Sequence, residues 1–252
     1  MKKILSLAVS LFLAGQALAE TDTIRVANQQ LQTRYLKPVS RQYLVYRQRT
    51  PGSSKKQLSV WERNVDVKNN QVQISQKWFG ADTITRQLFS VCDSKDLRPV
   101  YHYVKNFRNE VEAYTFNGRQ TIGTDSVSKN LKKDFRNEWK EPAFNWELDM
   151  ETFALLPLKK DKKFVIPFYH PGSSTGPAYY LYEVAGEEKI RIGNEKLHDC
   201  WLLKINYSDE NYATFWIDKK EKEVLKMEEF FNGWYRYKIK LPAVDLGSQK
   251  KV

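Results

Sequence analysis

The chain has 252 residues, 41% of them hydrophobic and 13% aromatic, with 41 lysines and arginines against 30 acids and a net charge of +11. Seven tryptophans and 14 tyrosines supply enough bulk for a sizeable core, so the two cysteines are not needed as a disulfide scaffold. Past the N-terminus there is no long apolar run, which excludes a bundle of membrane-spanning helices.

The first element is a targeting segment. Lys2 and Lys3 precede an apolar run from Ile4 to Ala14, and Ala17-Leu18-Ala19 places small residues where signal peptidase reads. Residues 1–19 therefore read as a secretory signal peptide cut between Ala19 and Glu20. Export places the chain in the periplasm, not membrane-spanning after cleavage and away from nucleic acid. The remaining 39 basic and 30 acidic residues leave a net charge of +9. That balance favours an anionic envelope surface such as phospholipid headgroups or lipopolysaccharide. The lysines gather at Lys159–Lys163, Lys219–Lys222 and Lys132-Lys133, which read mainly as charged turns.

Residues 20–40 are a polar lead-in. From Gln42 onward, short runs alternate apolar and polar residues and are separated by turn signals. Lys68-Asn69-Asn70 joins two such runs, and asparagine tolerates the positive φ that a tight hairpin needs. Val65 and Val67 share one side of the first strand, and Val72 and Ile74 one side of its return. Asn117-Gly118 and Asn232-Gly233 give further hairpins. The section from Gln120 to Lys140 is polar and reads either as an irregular strand or as a long loop.

"NWELDMETFALLPL" breaks the rhythm. Asn145 suits an N-cap, with Glu147 and Asp149 in the first turn. Trp146, Met150, Phe153 and Ala154 recur at helical spacing, and Pro157 ends the run. One short helix is predicted over residues 145–156, its apolar face able to plug the mouth of a barrel.

Strand patterns resume at Lys163. "AYYLYEVAG" and "EKIRIG" read as two strands of a hairpin, with Glu183 and Glu187 in or beside it. In "WYRYKIKL" the alternation puts Tyr235, Tyr237, Ile239 and Leu241 on one face, taken as the buried one, and Arg236, Lys238 and Lys240 on the wet one. Trp201, Leu203, Ile205 and Tyr207, with Phe215 and Ile217, line the concave side of the sheet. Roughly eleven strands result. The prediction is a mainly β fold, a single curved antiparallel sheet forming an open or half barrel, as one domain over residues 20–242. Residues 243–252 form a flexible tail.

No motif names a reaction. Gly172–Gly176 fits the pattern G-x-S-x-G, but a nucleophile elbow needs a helix after the serine. Pro171 and Pro177 flank the motif and a strand pattern follows, so Ser174 reads as a loop residue. His198 lies downstream with Glu183 and Glu187 between, in the chain order a triad would require. His102, His170 and His198 show no metal-ligand spacing. His198 and Cys200 share a strand face and form a candidate thiolate–imidazolium pair, with Asp199 facing away. Cys92 and Cys200 leave both a disulfide and two buried thiols open. No catalytic residue, metal or cofactor is assigned.

The signal segment, the meander and the inserted helix carry a resemblance, together with the strand ends Phe215-Trp216-Ile217-Asp218 and Val224-Leu225-Lys226-Met227-Glu228. The chain resembles uncharacterised periplasmic proteins with a LolA/LolB-like half-barrel. The resemblance implies an incomplete barrel whose apolar concave face shelters acyl chains. Three readings follow. The first is a non-enzymatic, monomeric binding or carrier protein of the envelope, with a lipid or lipoprotein partner. The second is an envelope protein holding a glycan or another protein through aromatic and basic surface. The third and weakest is a serine hydrolase.

Overall fold

The computed structural model describes residues 21–193 and 196–242; the signal peptide, its cleavage point at Ala19 and Glu20, and the tail from 243 lie outside the described residues. β1 (Thr21–Thr23) is followed by two single 3₁₀ turns. A meander comes next: β2 (Val39–Gln48), β3 (Lys56–Lys68), β4 (Gln71–Phe79), β5 (Ile84–Asp93), β6 (Pro99–Asn106), β7 (Val111–Asn117), β8 (Gln120–Gly123) and β9 (Arg136–Glu138). β10 (Phe144–Asn145) leads through a 3₁₀ turn, Trp146–Leu148, into the helix α1 (Asp149–Ala154). The second meander is β11 (Lys163–Tyr169), β12 (Ala178–Arg191), β13 (Leu197–Asn206), β14 (Tyr212–Asp218), β15 (Val224–Phe231) and β16 (Trp234–Lys240).

The strands form one curved sheet, mainly β as expected and not closed on itself. Its order is β1-β11-β12-β13-β14-β15-β16-β2-β3-β4-β5-β6-β7-β8-β9, with β10 also on β11. The two meanders are stitched by the antiparallel pair β16–β2, so the last strand of the chain sits beside the first long one. Only β1 and β10 run parallel to their partner β11. Between the free end at β9 and the second meander the barrel is sealed by side chains. Asn137 donates to the Ser173 carbonyl at 3.0 Å and Trp139 packs on Tyr169 at 4.3 Å.

Local chemistry sets the turns. Asn69 and Asn70 both adopt positive φ, as do Asn232 and Gly233, which is what two-residue hairpins with right-handed twist require. Val65, Val72 and Ile74 are buried in the main core with Leu203, Ile205, Phe215 and Ile217, as period-two alternation predicts. Met150, Phe153, Leu155 and Leu156 on and after α1 fill the concavity from within. Each such side chain contributes about 1.5–3 kcal/mol by leaving water.

Several expectations are corrected. Among the described residues sixteen strands form, because pairs too short for a sequence pattern to show still bond. Residues 178–191 make one long strand: at Gly186 the chain takes a register shift against β13 and does not turn back. Glu183 and Glu187 therefore lie within a strand. The polar section 120–140 holds β8, β9 and a loop fixed by Asn130, whose side chain bonds the Ala113 backbone on both sides. The lead-in is not peripheral, since Ile24, Val26 and Leu31 join the main core.

The largest correction concerns β16. Lys238 is 8% exposed and pairs across the sheet with Met227, inside the barrel; Arg236 pairs with Glu229 on the same side. Tyr235 and Tyr237 lie on the outer face, where Tyr237 stacks on Tyr46 at 5.0 Å. That outer face carries a second, smaller apolar cluster of Ile192, Cys200, Trp216 and Leu225. Two covered faces defeat the assumption that the aromatic side of a strand is the inner one.

Candidate functional site

The inner surface is apolar over most of its area and charged at one end. There β3 contributes Trp61 and Arg63, four and two residues before Val65 on the same face. β4 and β5 contribute Trp78 and Arg86, opposite each other in register. β14 and β15 bring Phe215, Met227 and Glu229, and β16 brings Arg236 and Lys238. The turn ahead of α1 supplies Trp146 and Glu147, the first residue of α1 is Asp149, and His170 and Tyr207 complete a cavity of about 210 Å³. Arg86, whose side chain is 42% exposed, stands at the rim, while Arg63 at 1% forms the floor.

Aromatic rings make the walls. Trp61 and Trp78 stack at 4.9 Å and 16°, and Trp146 lies on His170 at 4.5 Å. Arg63 and Lys238 stand 4.7 Å and 4.3 Å from the Trp61 ring, both within cation–π range.

The charges fall into two groups. Arg63 donates from Nε to Glu151 at 3.0 Å and from Nη2 to the Glu147 carbonyl at 3.0 Å. Arg86 meets Glu147 at 2.9 Å and Arg236 meets Glu229 at 2.8 Å. Gln76 adds a donor to the Glu147 carbonyl at 2.9 Å. Burial alone would raise the Glu151 and Glu147 carboxyls, but Arg63 and Arg86 respectively override it and hold both below the usual carboxylate range. Every arginine of the cavity is thus matched by a carboxylate.

Lys238 and Asp149 are different. Lys238 has no ion pair or hydrogen bond to its ammonium among the described residues; only the Trp61 face attends it. Burial pushes its pKa down to about 8 against the opposing pull of Asp149. Asp149 receives its own helix's Met150 N–H and no cation within ion-pair distance, and burial raises its carboxyl. The indole N–H of Trp78, another lining residue, is buried and also has no hydrogen-bond partner among the described residues.

Ser174, His102, His198, Cys92 and Cys200 all lie apart from the cavity, and of the histidines His170 alone lines it. Ser174 is exposed on the loop between β11 and β12, with strand and no helix after it. Gly172 in that loop has a structural duty. It holds φ +85°, and a Cβ there would lie 2.2 Å from the Tyr114 hydroxyl. His198 is buried on the outer face, its Nδ1 2.6 Å from Asp218. The Cys200 thiol approaches the His198 carbonyl rather than its ring, and burial pushes it up to about 12, so it is no thiolate. Asp199 does face away, onto Lys219, which also pairs with Glu187. Cys92 and Cys200 are both free and buried, in the inner and outer clusters respectively, on opposite faces of the sheet. His102 is a core residue held by Ser90 at 2.8 Å and kept neutral by burial, its pKa lowered to about 4. Among the described residues no group of three or more His, Cys, Asp or Glu side chains is placed to hold a metal.

Of the cavity, the sequence indicated Trp146, Tyr207 and Phe215 as inward-facing. It missed Trp61, Arg63, Trp78, Arg86, Glu229, Arg236 and Lys238. The parity shared by Trp61, Arg63 and Val65 was a usable signal. The charges on β16 gave a misleading one.

A family model described as "Protein of unknown function (DUF3108)" matches residues 42–240. Among solved structures, the crystal structure of a β-barrel-like protein of a domain of unknown function, DUF1849, from Brucella abortus is similar with a TM-score of 0.55. The two share 10% identity, over 81% of this chain and 95% of that one, a likeness of fold alone. No curated protein matches. No helix among the described residues is long and apolar enough to cross a membrane.

Proposed function

We propose that this chain, which belongs to the DUF3108 family, is an exported, non-enzymatic binding protein of the bacterial envelope. Its ligand is a small polar molecule, or the polar head of an amphiphile, seated in the charged and aromatic cavity. One observation carries the reading: Lys238 is held nine-tenths out of water with no polar partner among the described residues, in a cavity lined by three tryptophans and open at its rim. Burying an unpaired ammonium is costly, and a sequence retains such a group where something else completes it.

The size of the space narrows the ligand. About 210 Å³ exceeds what single waters need, roughly 10–15 Å³ each, and falls below the roughly 300 Å³ at which pockets for drug-sized molecules begin. The apolar part of the concave face is filled by α1 and the main core, so a carrier role in this fold would concern a headgroup more than an acyl chain. The signal-like segment at residues 1–19 supports export, and the placement of Ser174 and Cys200 away from the cavity supports a binding role over a hydrolytic one.

Native mass spectrometry of the protein purified from an envelope fraction tests the reading. A bound small molecule is expected in the wild type and its loss in Trp78→Ala, with far-ultraviolet circular dichroism showing that the variant is folded. An empty wild type whose tryptophan fluorescence is also unmoved by an aqueous envelope extract would overturn it.

A further inference from the structure

The pattern of paired and unpaired charge in the cavity specifies more than polarity. Arg63, Arg86 and Arg236 are matched by Glu151, Glu147 and Glu229. One cation, Lys238, and one acid, Asp149, remain in the cavity lining without ion-pair partners among the described residues. They do not come within ion-pair distance of each other, although each responds to the other's field. A purely anionic ligand would satisfy Lys238 and bring a second negative charge beside Asp149; a purely cationic one would do the reverse. A ligand carrying one charge of each sign satisfies both and leaves the cavity neutral.

Resting on the proposed binding role of this cavity, we infer that its ligand is a zwitterion with an ammonium and an oxyanion on a short linker. The oxyanion meets the Lys238 ammonium and the ammonium meets Asp149. The Trp61 ring carries both Lys238 and Arg63, and Trp146 stacked on His170 adds a further aromatic surface to the lining. The unpartnered indole N–H of the lining residue Trp78 is a further donor for an oxyanion. The chemistry has two sources in an envelope, a free amino acid-like solute and the phosphoethanolamine head of a phospholipid.

Tryptophan fluorescence reads the binding directly, since three of the lining residues are indoles. The probes are glycerophosphoethanolamine, a phosphodiester with one charge of each sign, and β-alanine, with inorganic phosphate and ethanolamine as half-ligands, and vesicles of phosphatidylglycerol with and without phosphatidylethanolamine. At least one zwitterion is expected to bind tenfold or more tightly than either half-ligand. Lys238→Met, which keeps the side-chain length, and Asp149→Asn are each expected to weaken it at least tenfold. Response only to vesicles containing phosphatidylethanolamine assigns the lipid source; response to the free probes alone assigns a soluble one; both support the inference. Half-ligands within threefold of the zwitterions, or full binding by both variants, would overturn it. If no zwitterion binds while a copurified molecule is still lost in Trp78→Ala, the cavity remains the site and the zwitterion assignment falls.

Discussion

Lys238 shows how one residue records a functional demand. Its ammonium stands in a low-dielectric wall, and burial lowers its pKa from the ordinary 10.5 to about 8. Between these values the unfolded chain binds a proton there that the folded chain does not, so stability rises with pH through that window. Below pH 8 the native state carries the full cost of the charge, on the order of 3 kcal/mol. Lys238→Met removes the group. We expect the variant to be more stable than wild type at pH 7, with the advantage shrinking from pH 8 towards 10.5, as measured by urea midpoints at each pH. An advantage that does not change with pH would mean that the ammonium is not buried. The sequence could not show this residue's place. Alternation divides Tyr235, Tyr237 and Ile239 from Arg236 and Lys238, but it does not say which set faces in. Aromatic residues usually do, and here a second cluster on the outer face takes them.

The segment that plugs the barrel is legible in its ends and illegible in its use. Asn145 accepts the Glu147 amide at 3.0 Å and so caps the 3₁₀ turn that leads into α1, not α1 itself, which starts four residues later at Asp149, and Pro157 lies just beyond the helix. Its apolar face enters the core as helical periodicity requires. No local pattern announces that Arg63 and Arg86, some 60 to 90 residues earlier, will bond Glu151 and Glu147. Those partners are chosen by sheet register, which is a property of the whole meander. The same limit hides the long strand β12, where a glycine read as part of a turn makes a bulge. Asn145 is also buried, and its amide lies 3.4 Å from His102 Nδ1. Asn145→Ala should therefore cost more than a surface cap, about 1–2 kcal/mol. The measurement is equilibrium unfolding at pH 7; a change below about 0.5 kcal/mol would show that the cap is idle.

At the scale of the molecule, the two meanders share backbone ladder bonds, among the described residues, at β16–β2 alone, and are tied elsewhere by the common apolar core, the Asn137 and Trp139 contacts and buried ion pairs. Glu151 and Glu147 fasten the plug to β3 and β5, and Glu223, at the head of β15, binds Arg41 of β2 at 2.8 Å and Lys240 of β16. In all three acids burial would raise the carboxyl, and the neighbouring cations override it, so the folded values lie below the ordinary carboxylate range. A lowered folded pKa contributes stability that is present above the unfolded value, near 4.3 for glutamate, and is lost as pH falls through the folded value. Since each acid spans elements distant in the chain, protonation should release the plug and the seam together. We expect a cooperative loss of structure below about pH 4, with urea midpoints at pH 3 well under those at pH 6. Arg63–Glu151 and Arg41–Glu223 are shielded from solvent, so raising the salt from 0.1 to 0.5 M should move the pH 6 midpoint little. A strong salt dependence, or an acid transition in which circular dichroism and tryptophan fluorescence part company, would place the stabilising charges on the surface instead.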